Sequence, residues 1–169
     1  DSYWTLQTDA IAVPTDIVNK WGDLKWENGD LGYPVAEATE HNGGLVQKFQ
    51  NGYVTRNPKG ANNWVRGAIA AKYGELQTAK SKLGYPTSDE KSINGGAFQE
   101  FENGNIYWSP ATGAHVIYYG DIYKAWGEKG YEQGEYGYPT SDQESASGSI
   151  TFQGGKMSQS NGKVREERN

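Results

Sequence analysis

Tyr107 and Trp108 are adjacent aromatic residues, and an exposed indole would offer a flat apolar face to a sugar ring. Neighbouring side chains of a strand point to opposite sides, so we expect one ring to be packed and the other exposed. Asn105 and Glu102 lie close by and could bond the hydroxyls of a ligand. Trp4 belongs to a second copy of the aromatic pair. These residues predict a shallow binding surface, with packing of the rings in the core as the alternative.

Tyr85 and Asp89 are further candidates, because each stands in a segment that recurs along the chain. Tyr85 either packs fully or buries its ring and presents its hydroxyl to a ligand. Asp89 either accepts hydrogen bonds from backbone amides in a turn or receives ligand hydroxyls. Asp89 and Glu90 make a poor glycosidase pair, because adjacent residues of a strand point to opposite faces. Glycoside hydrolysis needs two carboxyl groups about 5–10 Å apart across a cleft.

The sequence contains no recognisable catalytic or metal-binding motif. The two histidines, His41 and His115, lack the HExxH spacing of zinc enzymes, and no GxSxG or phosphate-binding string occurs. With Cys 0, the chain has neither a disulfide framework nor a thiolate zinc site, which fits an exported bacterial protein. We therefore predict no catalytic residue, no metal and no cofactor, and an enzyme is the least favoured function.

A four-residue motif organises the chain as a repeat. Leu-Gly-Tyr-Pro occurs at residues 31–34 and 83–86, and Tyr-Gly-Tyr-Pro follows at 136–139, at spacings of 52 and then 53 residues. Such a fixed period is typical of a repeat architecture, in which each unit cannot bury its own apolar face. Function must therefore be sought in the repeat unit and its neighbours.

The period divides the chain into one repeat domain, 1–169. Residues 1–15 are the C-terminal part of a repeat, followed by repeat 1 at 16–68, repeat 2 at 69–120 and a degenerate repeat 3 at 121–169. Asp16 and Asp121 are predicted helix N-caps, and Gly22 is a predicted left-handed residue after the first helix. One helix position carries a large aromatic residue that we expect in the core: Trp21, Tyr73 and Trp126.

Each predicted helix is followed by a Gly/Pro loop and a β-hairpin with a short extra strand. The aromatic pair at residues 107–108 corresponds to Val54 and Thr55 in the first unit and to Met157 and Ser158 in the third. The pair thus differs between units, as a peripheral binding feature would.

These patterns predict an α+β fold of tandem repeats of about 52 residues packed around a pseudo-symmetry axis. The N-terminal strand carries the segment that the third unit lacks, so we hypothesise that it completes that unit and closes a ring of three. An open array of repeats is the alternative arrangement. A β-trefoil also has three repeats of about this length, but the helix signals disfavour it.

Composition excludes several classes of protein. The chain has 169 residues with 12 Tyr and 6 Trp, which is too aromatic for a disordered chain. Its net charge is −5, and Lys and Arg are scattered, so a nucleic-acid partner is not expected. No apolar run approaches the roughly 20 residues that a membrane span requires. We expect the chain to be a mature product or an excised domain.

The ordered set of motifs resembles the LGFP repeat, which is named for Leu-Gly-Phe-Pro. Tyr replaces Phe in each copy here, and the flanking matches are Tyr-Gly at 73–74, Asp-Glu at 89–90, Asn-Gly-Gly at 94–96 and Thr-Gly-Ala-His at 112–115. The resemblance covers essentially the whole chain.

The resemblance implies a function that composition and spacing do not provide. LGFP repeats occur in cell-envelope proteins of actinobacteria, including the C-terminal region of corynebacterial mycoloyltransferases and some peptidoglycan hydrolases. It implies a secreted, non-catalytic module that anchors a parent catalytic domain to wall polysaccharide, either arabinogalactan or peptidoglycan. A protein–protein module that docks a partner or stabilises its own parent enzyme is the alternative.

Overall fold

The computed structural model describes residues 2–3 and 10–169, with side chains from residue 10 onward. Within these residues the α-helices are α1 (Thr15–Gly22), α2 (Gly67–Glu75) and α3 (Asp121–Glu128). The strands are β1 (Ser2–Tyr3), β2 (Ile11–Ala12), β3 (Thr39–His41), β4 (Gly44–Phe49), β5 (Gly52–Arg56), β6 (Asn62–Arg66), β7 (Lys91–Ile93), β8 (Gly96–Glu100), β9 (Gly104–Ser109), β10 (Gly113–Tyr118), β11 (Ile150–Phe152), β12 (Gly155–Ser160) and β13 (Lys163–Arg168).

Three successive units share one plan, a short helix followed by an antiparallel sheet. Repeat 1 consists of α1 and the sheet β3-β4-β5-β6, repeat 2 of α2 and β7-β8-β9-β10, and repeat 3 of α3 and β11-β12-β13. The chain is therefore an α+β protein of three repeats, as the sequence predicts. The helix in every unit excludes the β-trefoil alternative.

One aromatic residue of each helix fixes the turn that gives the repeat its motif. The three rings are buried, and each donates a hydrogen bond to the carbonyl of the motif glycine. The pairs are Trp21 Nε1 with Gly32 O at 3.1 Å, Tyr73 Oη with Gly84 O at 2.9 Å, and Trp126 Nε1 with Gly137 O at 3.1 Å. The prediction that these aromatic residues lie in the core is confirmed.

Each of the first two sheets is covered on both faces. In repeat 1, Val54 faces its own helix α1 and packs with Trp21, whereas Tyr53 on the other face packs with Tyr73 of α2. In repeat 2, Ile106 packs on the α2 side and Tyr107 on the α3 side. Helices and sheets therefore alternate in layers, and each of these two sheets contributes to the core of its own repeat and of the next.

The third sheet has one polar face. Met157 is buried against α3, but the residues that alternate with it on β12 and their neighbours on β11 and β13 are polar. They are Thr151, Lys156, Ser158, Arg165 and Glu167. A polar outer face is the usual property of a terminal repeat, because it needs no further layer to cover it.

The tyrosines of the second and third motifs join consecutive repeats. Tyr85 Oη donates to His41 O at 2.5 Å, and Tyr138 Oη donates to Asn94 O at 2.9 Å. Each ring lies over the last glycine of the preceding Asn-Gly-Gly turn, where a Cβ on Gly44 would come within 2.5 Å of Tyr85 Cζ. The tyrosine of one motif thus packs on the glycine turn of the preceding repeat, and these two recurring sequence features form the contact between repeats.

The last strand of each of the first two sheets is bonded by side chains of the next repeat. Trp64 N in β6 donates to Asp89 Oδ1 at 3.1 Å, and Trp64 O accepts from Gln99 Nε2 at 3.0 Å. Val116 N in β10 likewise donates to Asp142 Oδ1 at 3.2 Å. The unpaired backbone N–H and C=O groups of an exposed edge strand can pair with another chain. These side chains form hydrogen bonds with some of those groups and so make them unavailable for such pairing.

The proposed ring closure is wrong. β12 pairs with β11 on one side and with β13 on the other, so residues Lys163–Arg168 complete the third sheet. Tyr3 pairs with Ile11 instead, and Val13 packs in the core of repeat 1. The chain reverses before β13 at an Asn161-Gly162 turn whose φ values are 51° and 75°, a hairpin geometry that Asn-Gly favours.

The predicted helix ends also need correction. Asp16 and Asp121 lie inside the first turns of α1 and α3 and make no capping bond, because their carboxylates bond the neighbouring sheet instead. Helix α1 ends at Gly22, and the left-handed residues are Lys25 and Trp26, at φ 65° and 51°.

The strand register shifts the expected equivalence of the aromatic pair by one residue. Trp108 lies opposite Ala97 just as Arg56 lies opposite Leu45. Tyr107 therefore corresponds to Thr55 rather than to Val54. In repeat 3, where Met157 takes the place of Ile106, the pair corresponds to Ser158 and Gln159.

Candidate functional site, a groove between repeats 1 and 2

Trp108 lies half-buried on β9, on the face toward α2. Its cross-strand neighbours are both alanines, Ala97 on β8 and Ala114 on β10. Small neighbours on both sides leave the space beside the indole unfilled. This is the residue of the predicted aromatic pair that faces a cavity.

The cavity beside Trp108 is an open groove of about 580 Å³ between repeats 1 and 2. Ion-paired Arg66 and Asp30, whose Nη1 and Oδ2 atoms are 2.5 Å apart, lie on its polar side together with Asn51 and Glu90. The complete lining is Asp30, Asn51, Arg66, Gly67, Ala68, Ile69, Glu90, Ala97 and Trp108. The groove thus combines one large aromatic surface with amide, guanidinium and carboxylate groups.

In repeat 1, the residue equivalent to Trp108 is Arg56, which forms an ion pair with Asp16 of α1. Arg56 donates through Nε and Nη2 to the two carboxylate oxygens of Asp16, both at 2.7 Å, and Asn62 Nδ2 donates to Asp16 at 2.8 Å. The hydrogen bond from Arg56 is the main reason that the pKa of Asp16 falls to about 2, against the opposing effect of burial. The ion pair ties the helix to the sheet.

Repeat 3 has a hydrogen bond at the same place, from Gln159 Nε2 to Asp121 Oδ2 at 3.1 Å. In repeat 2 the helix residue that corresponds to these aspartates is Ala68, which cannot bond to Trp108. The aromatic surface of repeat 2 therefore faces a groove because both partners of the bridge have been replaced.

The second junction keeps a smaller cavity at the equivalent place. It measures about 310 Å³ and is lined by Lys82, Asn103, Tyr118, Tyr119, Ser145 and Ala146. Lys82 occupies the position of Asp30, and no tryptophan contributes to it. The combination of Trp108 with an acidic and amide rim belongs to the first junction within the part of the chain that the structure describes.

Tyr107 is a packing residue. It is 3% exposed, stacks on Phe98 with a ring separation of 5.1 Å, and meets Trp126 edge-on at 4.8 Å. Burial raises the pKa of its phenol strongly. Its ring has no free face for a ligand, which answers the question of which member of the aromatic pair is packed.

Tyr85 and Asp89 have structural partners. Tyr85 is 1% exposed and binds the preceding repeat through its hydroxyl. Asp89 accepts the Trp64 amide at Oδ1 and Lys20 Nζ at Oδ2, the latter at 2.6 Å. Both residues join repeats, and neither lines the Trp108 groove.

Asn105 and Glu102 also lie outside the groove lining. Asn105 is 1% exposed, and its Oδ1 accepts from Tyr119 Oη at 2.5 Å. Glu102 is exposed, but its Oε1 accepts the backbone amide of Tyr85 at 2.8 Å and so supports the motif turn. Trp4 falls outside the described residues.

Sequence reasoning missed most of the groove. Asp30, Asn51 and Arg66 come from repeat 1. Arg66 is the last residue of β6 and is followed directly by Gly67, the first residue of α2, so the end of the repeat 1 sheet lies beside that helix. The available signal was the break in the repeat at Ala68, where units 1 and 3 have aspartate. No cluster of three metal-ligating residues occurs in the described chain.

A second aromatic surface lies at the other junction. Tyr119 and Tyr131 are each 38% exposed, and Tyr123 lies between them with ring separations of 5.0 and 5.5 Å. Burial, followed by the neighbouring Tyr131, raises the pKa of Tyr123 to about 12. This tyrosine cluster was not identified from the sequence. Tyr131 has an aromatic counterpart in Trp26 of repeat 1, but the other two tyrosines have none in the other units.

Comparison with known families matches the chain three times to the LGFP repeat, at residues 1–29, 31–81 and 83–134. The second and third matches each begin at the leucine of a Leu-Gly-Tyr-Pro motif. Residues 135–169 lie beyond the last match and include the sheet of repeat 3. No curated protein matches the chain.

Proposed function

Because the chain belongs to the LGFP repeat family, whose members occur in cell-envelope proteins, we propose that it is a non-catalytic module that binds wall polysaccharide. It would anchor an exported envelope protein, with arabinogalactan or peptidoglycan as the polymer. The parent catalytic domain, if one is attached, would be held at the wall by this module. Among the described residues, none of the helices has the length and apolar character of a membrane span.

The observation that carries the proposal is the groove beside Trp108. A sugar ring has one apolar face and a rim of hydroxyls, and the groove offers an indole with polar groups around it. The Asn51 amide can donate hydrogen bonds to those hydroxyls or accept them, and the Glu90 carboxylate can accept them. The groove is open to solvent, which suits a polymer better than a small metabolite.

A catalytic role finds little support in the same groove. LGFP is a repeat module and not a catalytic domain. Of the two carboxylates in the lining, Asp30 is ion-paired with Arg66. A hydrolase would need a free pair of carboxyl groups flanking the scissile bond.

Protein docking is the second candidate, and the tyrosine cluster supports it. Tyr119, Tyr123 and Tyr131 form a contiguous, partly exposed aromatic surface away from the groove. Aromatic residues are enriched in protein interfaces. Docking of a parent enzyme at that surface is compatible with glycan binding in the groove.

The test is cosedimentation with insoluble cell wall from a mycolate-producing actinobacterium. Wild type, Trp108→Ala and Trp26→Ala would be compared on intact walls, walls stripped of arabinogalactan and walls digested with a peptidoglycan hydrolase. Trp26 is 44% exposed and does not line the groove, which makes it the matched control. Circular dichroism would verify that each variant is folded.

Binding that needs polysaccharide, survives Trp26→Ala and is lost in Trp108→Ala would support the proposal. Sedimentation with no wall fraction would contradict it and favour docking. Binding that is unaffected by Trp108→Ala would retain the function but move the site away from the groove.

A further inference from the structure

A second cleft adjoins the Trp108 groove. It measures about 460 Å³ and lies between the β4–β5 turn of repeat 1 and helix α2. Its lining is Lys48, Gln50, Asn51, Gly52, Tyr53, Gly67, Ala70, Ala71 and Gly74. Asn51 and Gly67 line both cavities, so the two are contiguous.

We propose that the groove and the cleft form one trough along α2, and that the trough binds an internal segment of a linear polysaccharide chain rather than a chain end. This inference rests on the proposed function and adds the cleft as a second subsite. The Trp108 end would stack on one sugar unit, while the Lys48 end would bond the hydroxyls of a unit further along the same chain.

Helix α2 gives the trough its length and its smooth wall. The lining includes Gly67, Ala68, Ala70, Ala71 and Gly74, none of which projects a long side chain. At a rise of 1.5 Å per residue, the seven steps from the first to the last of these glycines span about 10 Å. That length exceeds a single sugar ring, so an occupant that fills the trough must be an oligomer.

The cleft supplies hydrogen-bonding groups that suit hydroxyls. Lys48 and Gln50 are exposed on its rim, and Lys48 forms no ion pair with any described residue. Lys48 Nζ lies 5.3 Å from the ring centroid of Tyr53, which forms part of the lining. An ammonium with three donors near an aromatic ring can bond several hydroxyls of one sugar unit.

The second junction shows what closes the cleft. On α3 the position of Ala70 is taken by Tyr123, and Tyr119 precedes the helix where repeat 2 has Gly67. These tyrosines contact each other at 5.0 Å and occupy the space that is open beside α2. The trough is therefore a property of the first junction in the described chain, produced by small residues on one helix.

The experiment uses a ladder of arabinogalactan oligosaccharides of increasing length, titrated calorimetrically into the whole chain. Ala71→Trp fills the cleft from its exposed edge without touching Trp108. Lys124→Trp places the same residue at the equivalent exposed position of α3 and serves as the control. Lys48→Ala is a second variant at the opposite rim, with little effect expected on folding.

For the wild type we expect affinity to rise with oligosaccharide length until the trough is filled, and blocking the chain ends to leave it unchanged. Ala71→Trp and Lys48→Ala should each weaken binding of the longer fragments by about tenfold, because the second subsite no longer adds to the first. Lys124→Trp should bind as the wild type does.

Two failures are distinguishable. If the longer fragments bind Ala71→Trp and Lys48→Ala as tightly as the wild type, while Trp108→Ala has lost binding, the second subsite is wrong and the polysaccharide function stands. Loss of affinity on blocking the chain ends would overturn internal-segment binding. If the wild type binds neither oligosaccharides nor walls, the proposed function fails and this inference fails with it.

Discussion

At the scale of single residues, two residues that the sequence offers as candidate ligand-binding groups form contacts between repeats instead. Tyr85 and Asp89 both bond backbone groups of repeat 1. Trp108, in contrast, cannot form the side-chain hydrogen bond that its counterparts Arg56 and Gln159 make to an aspartate of their helices. In this chain, a residue whose type differs from its counterparts in the other repeats is thus a better candidate for function than a residue that recurs in every repeat.

The hydroxyl of Tyr85 should contribute measurably to stability. Tyr85→Phe removes the hydrogen bond to His41 O from a residue that is 1% exposed, and we expect a loss of about 1 kcal/mol in the free energy of unfolding. Urea denaturation measures it. Tyr33→Phe is the control, because the Tyr33 hydroxyl makes no bond within the described residues. Equal effects of the two substitutions would contradict the assigned contact.

The Asp16–Arg56 pair should make stability depend on pH in the acid range. The pKa of Asp16 in the folded protein is about 2, below its ordinary value of 3.8, so the contribution of the pair is complete above about pH 4 and is lost as the pH falls through 2. Asp16→Asn should lower the melting temperature at pH 7 and approach the wild type at pH 2. Arg56→Gln should remove the same pH-dependent component. A constant difference between wild type and Asp16→Asn across this range would argue against the pair.

At the scale of secondary-structure elements, the last strand of each of the first two sheets is bonded by the repeat that follows it. Asp89 and Asp142 accept the amides of Trp64 and Val116. Partial burial raises the pKa of Asp142, but hydrogen bonds, first from Lys72 and then from the Val116 amide, outweigh it and lower the pKa overall. The Asp142 carboxylate therefore stays ionised while it holds β10.

Hydrogen exchange at Trp64 tests this contact. Asp89→Ala should speed exchange of the Trp64 amide severalfold, because the bond at 3.1 Å to Oδ1 is lost and the edge of β6 opens. NMR-detected exchange resolves the single amide. Asp23→Ala is the control, since Asp23 also pairs with Lys20 but does not accept the Trp64 amide. Unchanged exchange at Trp64 in Asp89→Ala would disprove the role of the carboxylate.

At the scale of the whole molecule, the alternation of helices and sheets couples neighbours but not distant repeats. Val46, Tyr53 and Val65 of repeat 1 lie in the core that α2 completes, and Tyr107 and Ile117 of repeat 2 lie in the core that α3 completes. Stability in such an array is approximately a sum over units and nearest-neighbour interfaces.

Loosening one junction should therefore release one end of the array. Tyr138→Ala removes a buried ring that bonds Asn94 O and lies 6.5 Å from Tyr107, with an expected cost of about 3 kcal/mol. Hydrogen exchange should show α3 and β11–β13 losing protection while β4–β6 retain it. Tyr85→Ala is the matched variant for the first junction. Uniform loss of protection in Tyr138→Ala would instead indicate a fully cooperative fold.

The sequence by itself determined the repeat period, the helix and strand content, and the buried aromatic position of each helix. These features depend on residue type and local spacing: Trp21 and Trp126 recur with the same neighbours, and Asn-Gly turns follow apolar strands. It also identified Trp108 as an aromatic candidate. For Tyr85 and Asp89, one of the two alternative interpretations from the sequence was a structural role, and both residues have one in the structure.

Only the tertiary structure decided where the strand register lies, which ring of the pair is exposed, and which segment completes repeat 3. A shift of one residue exchanges the two faces of a strand, and partners far apart in sequence fix that register. The groove joins Asp30 and Arg66 of repeat 1 to Trp108 of repeat 2, and no local spacing encodes that meeting. It follows from packing α2 between two sheets.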